Sequence, residues 1–400
     1  MIYSNNKMSL KDFHTYQAKT TPIPIGLEVS KAKGSYIFDS NGKKYLDFVA
    51  GVSACCLGHR HPKIIKAIKK QLNKFLHVMV YGEYVQKTSV GLCKKLASLL
   101  PKKLEVTFLT NSGTEAIEGA MKLAKRYTKK TNFIAAKNSY HGSTQGALSL
   151  LGVKNQKKGY GPLLPKVNFI DFNNDKDLIK INNETAAVIL ETIQGGAGFI
   201  VPKQDYLKKV KKKCEEVGAL LILDEIQPGV GRTGMMFAFQ KYEVEPDILV
   251  IGKGLGGGLP IGAFCSSREI MKRFEYNPSL GHISTFGGNP VISSAGLSVL
   301  NTLEDEKVLE RVNEKEKLIR SLLKHKKIKK INGLGLMLAI ILESQSDVEK
   351  LVQESMKKGL ILFYLLWNKN AVRITPPLNI SNKDLKKGCK IILDILDEMT

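Results

Sequence analysis

The stretch "PDILVIGKGLGGGLPIGAF", Pro246 to Phe264, supports two incompatible readings. An apolar run, Ile248 to Ile251, opens into Gly252-Lys253-Gly254-Leu255-Gly256-Gly257, which fits G-x-G-x-x-G, the dinucleotide-binding fingerprint of a strand-turn-helix. The same residues also set a single lysine between glycines at the end of a buried strand, which is how an amine is placed when it is to form a Schiff base. The fingerprint needs a helix directly behind its glycines and an early position in the domain. Here Pro260 stands where that helix would be running, a fresh apolar strand follows, and the motif lies more than halfway down the chain. The dinucleotide reading fails, and Lys253 becomes the residue to explain.

Two other stretches bear on it. "FLTNSGTEAIEGAMKLAKRY" places Asn111-Ser112-Gly113-Thr114 between a strand and a helix. The first-turn N–H groups of a helix have no internal partner and carry the positive end of its dipole, so a phosphate fits there. Gly113 lets the backbone come close, and the Ser112 and Thr114 hydroxyls can donate. A capping box, Ser112 with Glu115, explains the same residues without a ligand. "LLILDEIQPGVGRTG" ends a buried strand on Asp224-Glu225. Buried acids need a positive partner, and the carboxyl end of a parallel sheet is where ligands bind. A magnesium-binding pair and an anion held against a cationic ring both satisfy this. Pyridoxal phosphate asks for all three features together: an amine for its aldehyde, a helix N-terminus for its phosphate and an acid for its ring nitrogen.

The rest of the chain supplies a frame. From about residue 105, near-continuous apolar strands ("VTFLT", "NFIAA", "AAVIL", "ALLILD", "DILVIG") alternate with amphipathic helices, which predicts an α/β fold with a mostly parallel sheet covered on both faces. Residues 35–49 read as a hairpin around Asn41-Gly42, and residues 61–75 as an amphipathic helix with proline in its first turn. Residues 289–325 read as one long helical stretch, and a compact α+β region follows. The net charge of +24 is nearly all lysine, with eight arginines among 61 basic residues. The lysines interleave with apolar residues at helical spacing, which describes solvated helix faces rather than a phosphate-gripping patch. Six cysteines (Cys55, Cys56, Cys93, Cys214, Cys265, Cys389) lack metal-ligand spacing, so no metal site is expected. No apolar run approaches the ~20 residues of a membrane span, and residues 1–17 lack a signal-peptide core; a cytoplasmic location is expected.

The ordered series "NSGTEA", "YHGST", "LDEIQPGVGRTG", "PDILVIGKGLGGGLPIGA" and "STFGGNP" resembles the class III aminotransferases of the ornithine/acetylornithine type over nearly the whole chain. The resemblance implies the fold type I of pyridoxal-phosphate enzymes, a homodimer with shared active sites, and a small domain built from residues 1–48 and 304–400 beside a large domain at 49–303. It implies that Lys253 holds the cofactor and moves a proton, and that Asp224 pairs with the ring nitrogen. Tyr140, beside His141, and Ile226 would flank the ring, and Gln227 would bond its 3′-oxygen. Ser112, Gly113 and Thr114 would take the phosphate, with Thr285 from the partner subunit. Arg373 in "AVRITPPL" matches the substrate-carboxylate arginine, whereas Arg232 reads as structural. The implied reaction moves an amino group from an N-acylornithine-like donor to 2-oxoglutarate, in arginine or lysine biosynthesis. Two departures leave the donor open. Ser143 stands where many members have arginine, and Gly196 where many have a glutamate that masks the carboxylate-binding arginine. On sequence alone, Gly196→Glu would restore that mask. A transaminase of α-amino acids and a mutase or decarboxylase of the same fold remain alternatives; a lysine-rich nucleic-acid binder is a remote one.

Overall fold

The computed structural model describes residues 10–399; the first nine residues of the expected N-terminal segment, and Thr400, lie outside them. Three sheets organise the chain. The first begins with β1 (Val29–Lys33), β2 (Tyr36–Asp39) and β3 (Lys44–Asp47), so the expected hairpin is present as β2–β3. The second contains β4 (Val106–Thr110), β5 (Asn132–Ala136), β6 (Val167–Ile170), β7 (Thr185–Glu191), β8 (Leu220–Asp224), β9 (Ile248–Gly252) and β10 (Gly262–Ser266). Its order is β4-β10-β9-β8-β7-β5-β6, and β10 alone runs against its neighbours. The third holds β11 (Lys330–Leu334), β12 (Met337–Ile341), β14 (Phe363–Tyr364) and β15 (Ala371–Ile374), while β13 (Leu360–Ile361) crosses to pair in parallel with β3. Both ends of the chain thus share one sheet.

The central strands are buried throughout and apolar except at their ends, because both their faces are covered. Alternate side chains point to opposite faces of a strand. Val188, Leu190, Leu221, Leu223, Leu249 and Ile251 enter one core, and Ala187, Ile189, Ile222, Ile248 and Val250 enter the other. The helix Gly113–Thr128 covers the second face with Ala116, Ile117, Ala120 and Leu123. The helix Tyr206–Val217 covers the first, and the helix Pro290–Asp305 joins the same core. The expected long helix over 289–325 is in fact two, Pro290–Asp305 and Val308–Leu322, because Lys307 takes the left-handed conformation at φ +49°.

Parallel strands in register deliver their carboxyl ends to one edge. Glu191 pairs with Asp224, and Gly262 is the partner of both Gly252 and Thr110, so the ends of β4, β7, β8 and β9 stand in a row. Arg232 ties the third sheet to this edge: its buried guanidinium donates to the carbonyls of Leu336 (3.1 Å) and Pro376 (2.6 Å).

The C-terminal helix Asn382–Glu398 closes over the N-terminal segment at Gly388, where an added methyl would stand inside van der Waals contact of the wholly buried Phe48 ring. Gly388→Ala should cost about 1–3 kcal/mol by overpacking. A lowered thermal unfolding midpoint is the expected result, and an unchanged midpoint would show that the two chain ends are not locked together there.

Candidate active site

A pocket of about 440 Å³ opens at the carboxyl edge of the large sheet, lined by Gly113, Thr114, Tyr140, His141, Glu191, Gly196, Asp224, Ile226, Gln227, Lys253 and Arg373, among others. The segments after β4, β5, β7, β8 and β9 meet there because each parallel strand ends on the same side, and the third sheet adds Arg373 from β15.

Asp224 is buried at the end of β8. Its Oδ1 accepts the Ile226 N–H at 2.9 Å, and its Oδ2 lies 2.8 Å from His141 Nδ1. Burial opposes the charged imidazole, yet the hydrogen bond and charge of Asp224, with Glu191 nearby, outweigh it and raise the His141 pKa. The other ring nitrogen, His141 Nε2, is buried with no partner. Glu225 faces away. Its carboxylate accepts the N–H groups of Ala238 (2.8 Å) and Phe239 (2.7 Å), and burial pushes its pKa up to about 7. The two adjacent acids therefore serve different places, which removes the magnesium-pair reading.

Lys253 follows β9 at φ +42°, a left-handed conformation that costs a residue with a Cβ roughly 1–2 kcal/mol. Its side chain reaches the pocket. Burial lowers its pKa below the ordinary lysine value, Asp224 and Glu191 pull it back up, and Arg373 lowers it further. A buried amine held toward its neutral form is a nucleophile.

Sequence reasoning missed Glu191, which ends β7 as Asp224 ends β8. Its carboxylate accepts the N–H groups of Gly195 (2.9 Å) and Tyr140 (3.2 Å), and burial, with Asp224 adding and His141 subtracting, raises its pKa to about 7. The signal was available, since "AAVILE" also ends an apolar strand on an acid.

At the helix start, the Ser112 hydroxyl accepts the Glu115 N–H at 3.3 Å, while Glu115 turns to the Asn111 N–H instead of closing a reciprocal box. Gly113 and Thr114 line the pocket; the Thr114 hydroxyl meets that of Thr144 at 2.7 Å. Side chains leave no room at Gly113, where a Cβ would stand 2.6 Å from Ile226. Gln227 Nε2 donates to Ser53 at 3.4 Å, and the Tyr140 and Ser143 hydroxyls are 3.2 Å apart. Thr285 is exposed, and the single chain does not bring it into the pocket.

Arg373 sits on β15, 4% exposed, and donates from Nε to the Tyr364 carbonyl at 3.0 Å. Burial lowers its pKa to about 10, and Nη1 is buried without a partner. Among the described residues no carboxylate lies within ion-pair distance of it. The space beside Gly196 is not open, contrary to the sequence expectation. A Cβ there would lie 2.5 Å from Trp367 Nε1, so a lone Gly196→Glu cannot simply restore a mask.

The paired acid makes a direct test possible. In Asp224→Asn the larger contributions that raise His141 disappear while burial and the weaker pull of Glu191 remain, so the imidazole pKa should fall. Histidine-resolved NMR titration measures this, and a His141 pKa unchanged from wild type would show that Asp224 is not what raises it.

Comparison with known proteins agrees with this geometry. The model of the "Aminotransferase class-III" family matches residues 15–396. An acetylornithine aminotransferase of Clostridium acetobutylicum is 40% identical over 376 residues, covering 90% of this chain and 94% of that protein. A [LysW]-aminoadipate semialdehyde/glutamate semialdehyde transaminase of Sulfolobus acidocaldarius is 36% identical, covering 92% and 94%. The crystal structure of ornithine aminotransferase from Toxoplasma gondii superposes with a TM-score of 0.90 at 30% identity, covering 98% of this chain and 96% of that one. A second structure of that enzyme is described with partial occupancy of PLP at its active site. A lysine, a histidine-braced acid and a helix N-terminus on one sheet edge, with a family match across nearly the whole sequence, place the chain in the class III aminotransferases, which are pyridoxal-phosphate-dependent transaminases.

Proposed function

We propose that this enzyme moves an amino group from an N-acylornithine-like donor to 2-oxoglutarate, in arginine or lysine biosynthesis, with pyridoxal 5′-phosphate seated in the pocket. The observation that carries the reading is the convergence of Lys253, the Asp224–His141 pair and the start of the helix Gly113–Thr128 on one cavity. The names of the relatives, acetylornithine aminotransferase among them, support the donor class.

The residues fit the cofactor. Lys253 Nζ would hold its aldehyde carbon. The first-turn N–H groups at Gly113 and Thr114, with the Ser112 and Thr114 hydroxyls, would take its phosphate. Asp224, oriented by His141, would face the ring nitrogen; Ile226 and Tyr140 would flank the ring and Gln227 would bond its 3′-oxygen. Bound there, pyridoxal phosphate would supply an electron sink when the substrate loses the proton on its amine-bearing carbon.

This chain's own groups then do the remaining work. Lys253, once released, would accept the proton of the amine-bearing carbon at Nζ and return it on the other side of the transfer. Its lowered pKa favours the neutral amine that accepting a proton requires. Asp224 keeps a negative charge opposite the ring nitrogen. Arg373 offers a planar fork to the substrate carboxylate, and its buried, partnerless Nη1 marks the open half of that fork.

A homodimer completes the site in this reading. Tyr84, Val85 and Phe286 are 59%, 90% and 55% exposed, too apolar a surface to be left to water. A second copy covering it would carry Thr285 toward the partner's phosphate. The division into residues 49–303 and a small domain from 1–48 with 304–400, and the cytoplasmic setting, belong to the same proposal. Among the described residues no helix is long and apolar enough to cross a membrane.

Lys253→Ala tests the central role. Loss of the proton carrier alone is worth roughly 10²–10⁴-fold, so turnover of N-acetylornithine with 2-oxoglutarate should fall at least that far. Near-wild-type turnover would end the assignment. Arg373→Lys should raise the KM for 2-oxoglutarate by about tenfold or more, since lysine cannot reproduce a charge-assisted fork worth about 1.5–3 kcal/mol. An unchanged KM would place the carboxylate elsewhere.

A further inference from the structure

The net charge of +24 reads in the sequence as solvated helix faces, yet the fold gathers part of it at one place. A surface depression of about 470 Å³ is lined by Lys33, Arg60, Pro62, Ile65, Lys66 and Lys69, four cations and no acid. Three segments bring them together. Gly34 and His59 form an antiparallel bridge, N–H to carbonyl in both directions at 2.9 and 2.8 Å, which sets Lys33 opposite Arg60. Lys66 and Lys69 stand about one turn apart on one face of the helix Pro62–Leu72. The His59 imidazole lies 2.8 Å from the buried Asp47, so the base of the depression is held in place.

Each component is unfavourable for the protein alone. Like charges at this helical spacing repel. Arg60 has φ +57°, a left-handed conformation that a residue with a Cβ adopts at a cost. Seven of the eight arginines hold a carbonyl oxygen, a carboxylate or an aromatic ring. Among the described residues, the Arg60 guanidinium holds none of these, and no carboxylate lies within ion-pair distance of Lys33, Lys66 or Lys69. The helix adds to the imbalance. Its first turn carries no acidic side chain, and the side chain of its N-cap, His61, accepts no N–H, so the positive end of the dipole is left unanswered. A planar fork flanked by ammonium groups and a helix start matches the oxygens of a phosphate.

A phosphate group carries about −1.5 to −2 charges near neutral pH, so two or three linked phosphates, rather than one carboxylate, balance four cations. Lys63, next to Pro62, is already paired with Asp305 (3.6 Å) and Glu306 (3.2 Å). Those acids close the positive region on that side, which suits a compact ligand rather than a long strand. We propose that this depression binds an anion carrying linked phosphates, as in a nucleoside triphosphate or inorganic triphosphate. It shares no lining residue with the transamination pocket, so it is a second site and does not rest on the transaminase reading.

Calorimetry on the purified holoenzyme at low ionic strength tests this, with inorganic triphosphate as the probe. Wild type should bind one triphosphate per chain. Arg60→Ala/Lys66→Ala/Lys69→Ala should bind it about tenfold or more weakly, the factor that loss of a charge-assisted contact brings. Arg60→Lys keeps the charge but loses the fork, and should weaken binding by about threefold. Lys208→Ala/Lys212→Ala/Lys213→Ala takes the same charge from the helix Tyr206–Val217 and should leave the affinity within about twofold. The proposal is overturned by a wild type without saturable binding, by an affinity that no substitution at the depression changes, or by equal losses in the two triple variants.

Two further probes separate the sources. Adenosine triphosphate bound within about threefold of inorganic triphosphate assigns the site to the phosphate chain alone, and tighter binding assigns it to a nucleotide. A duplex DNA of about 20 base pairs that binds wild type more tightly than either, and loses that advantage in the Arg60 triple variant, overturns the compact ligand in favour of a nucleic-acid surface.

Discussion

A parallel sheet whose strands end on charged residues has an electrostatic problem to solve, and the rest of this structure follows from its solution. Glu191, Asp224 and Lys253 are delivered to one edge by the register of β7, β8 and β9. Water is largely excluded there, so each charge must find its partner inside the protein. His141 answers Asp224, two backbone N–H groups answer Glu191, and Lys253 is pushed toward its neutral form. What stays unbalanced is chemically useful: an amine in a strained left-handed turn, an unpartnered His141 Nε2 and an unpartnered Arg373 Nη1. Strain and orphaned polar atoms at one place are where a ligand is expected.

Much of this was legible in the sequence, for identifiable reasons. The central strands announce themselves because burial on both faces leaves apolar runs broken only at their ends, and the loop behind Lys253 is readable because Pro260 forbids the helix that a nucleotide fold would need. The opposite aim of Asp224 and Glu225 follows from strand alternation, though the sequence alone left both roles open. Glu191 was overlooked, even though it obeys the logic that singled out Asp224.

Other features had no local signal. Lys307 breaks a helical pattern with a backbone angle that its side chain does not encode. The contact of Gly196 with Trp367 joins residues far apart in sequence, so the glycine read as an empty position when its space was already filled. Thr285 lies outside the pocket of one chain. In the proposed homodimer it would reach a site only from a second copy, which the structure of one chain does not reveal.

The proposed function depends on Lys253 being the residue that holds the cofactor, and one measurement addresses that directly. Pyridoxal phosphate is added to the purified protein, the product is reduced with borohydride to make the linkage permanent, and the digest is mapped by mass spectrometry. The expected result is one phosphopyridoxyl group per chain on the peptide carrying Lys253, despite the large number of better-exposed lysines. A label spread over surface lysines, or confined to a different one, would contradict the account.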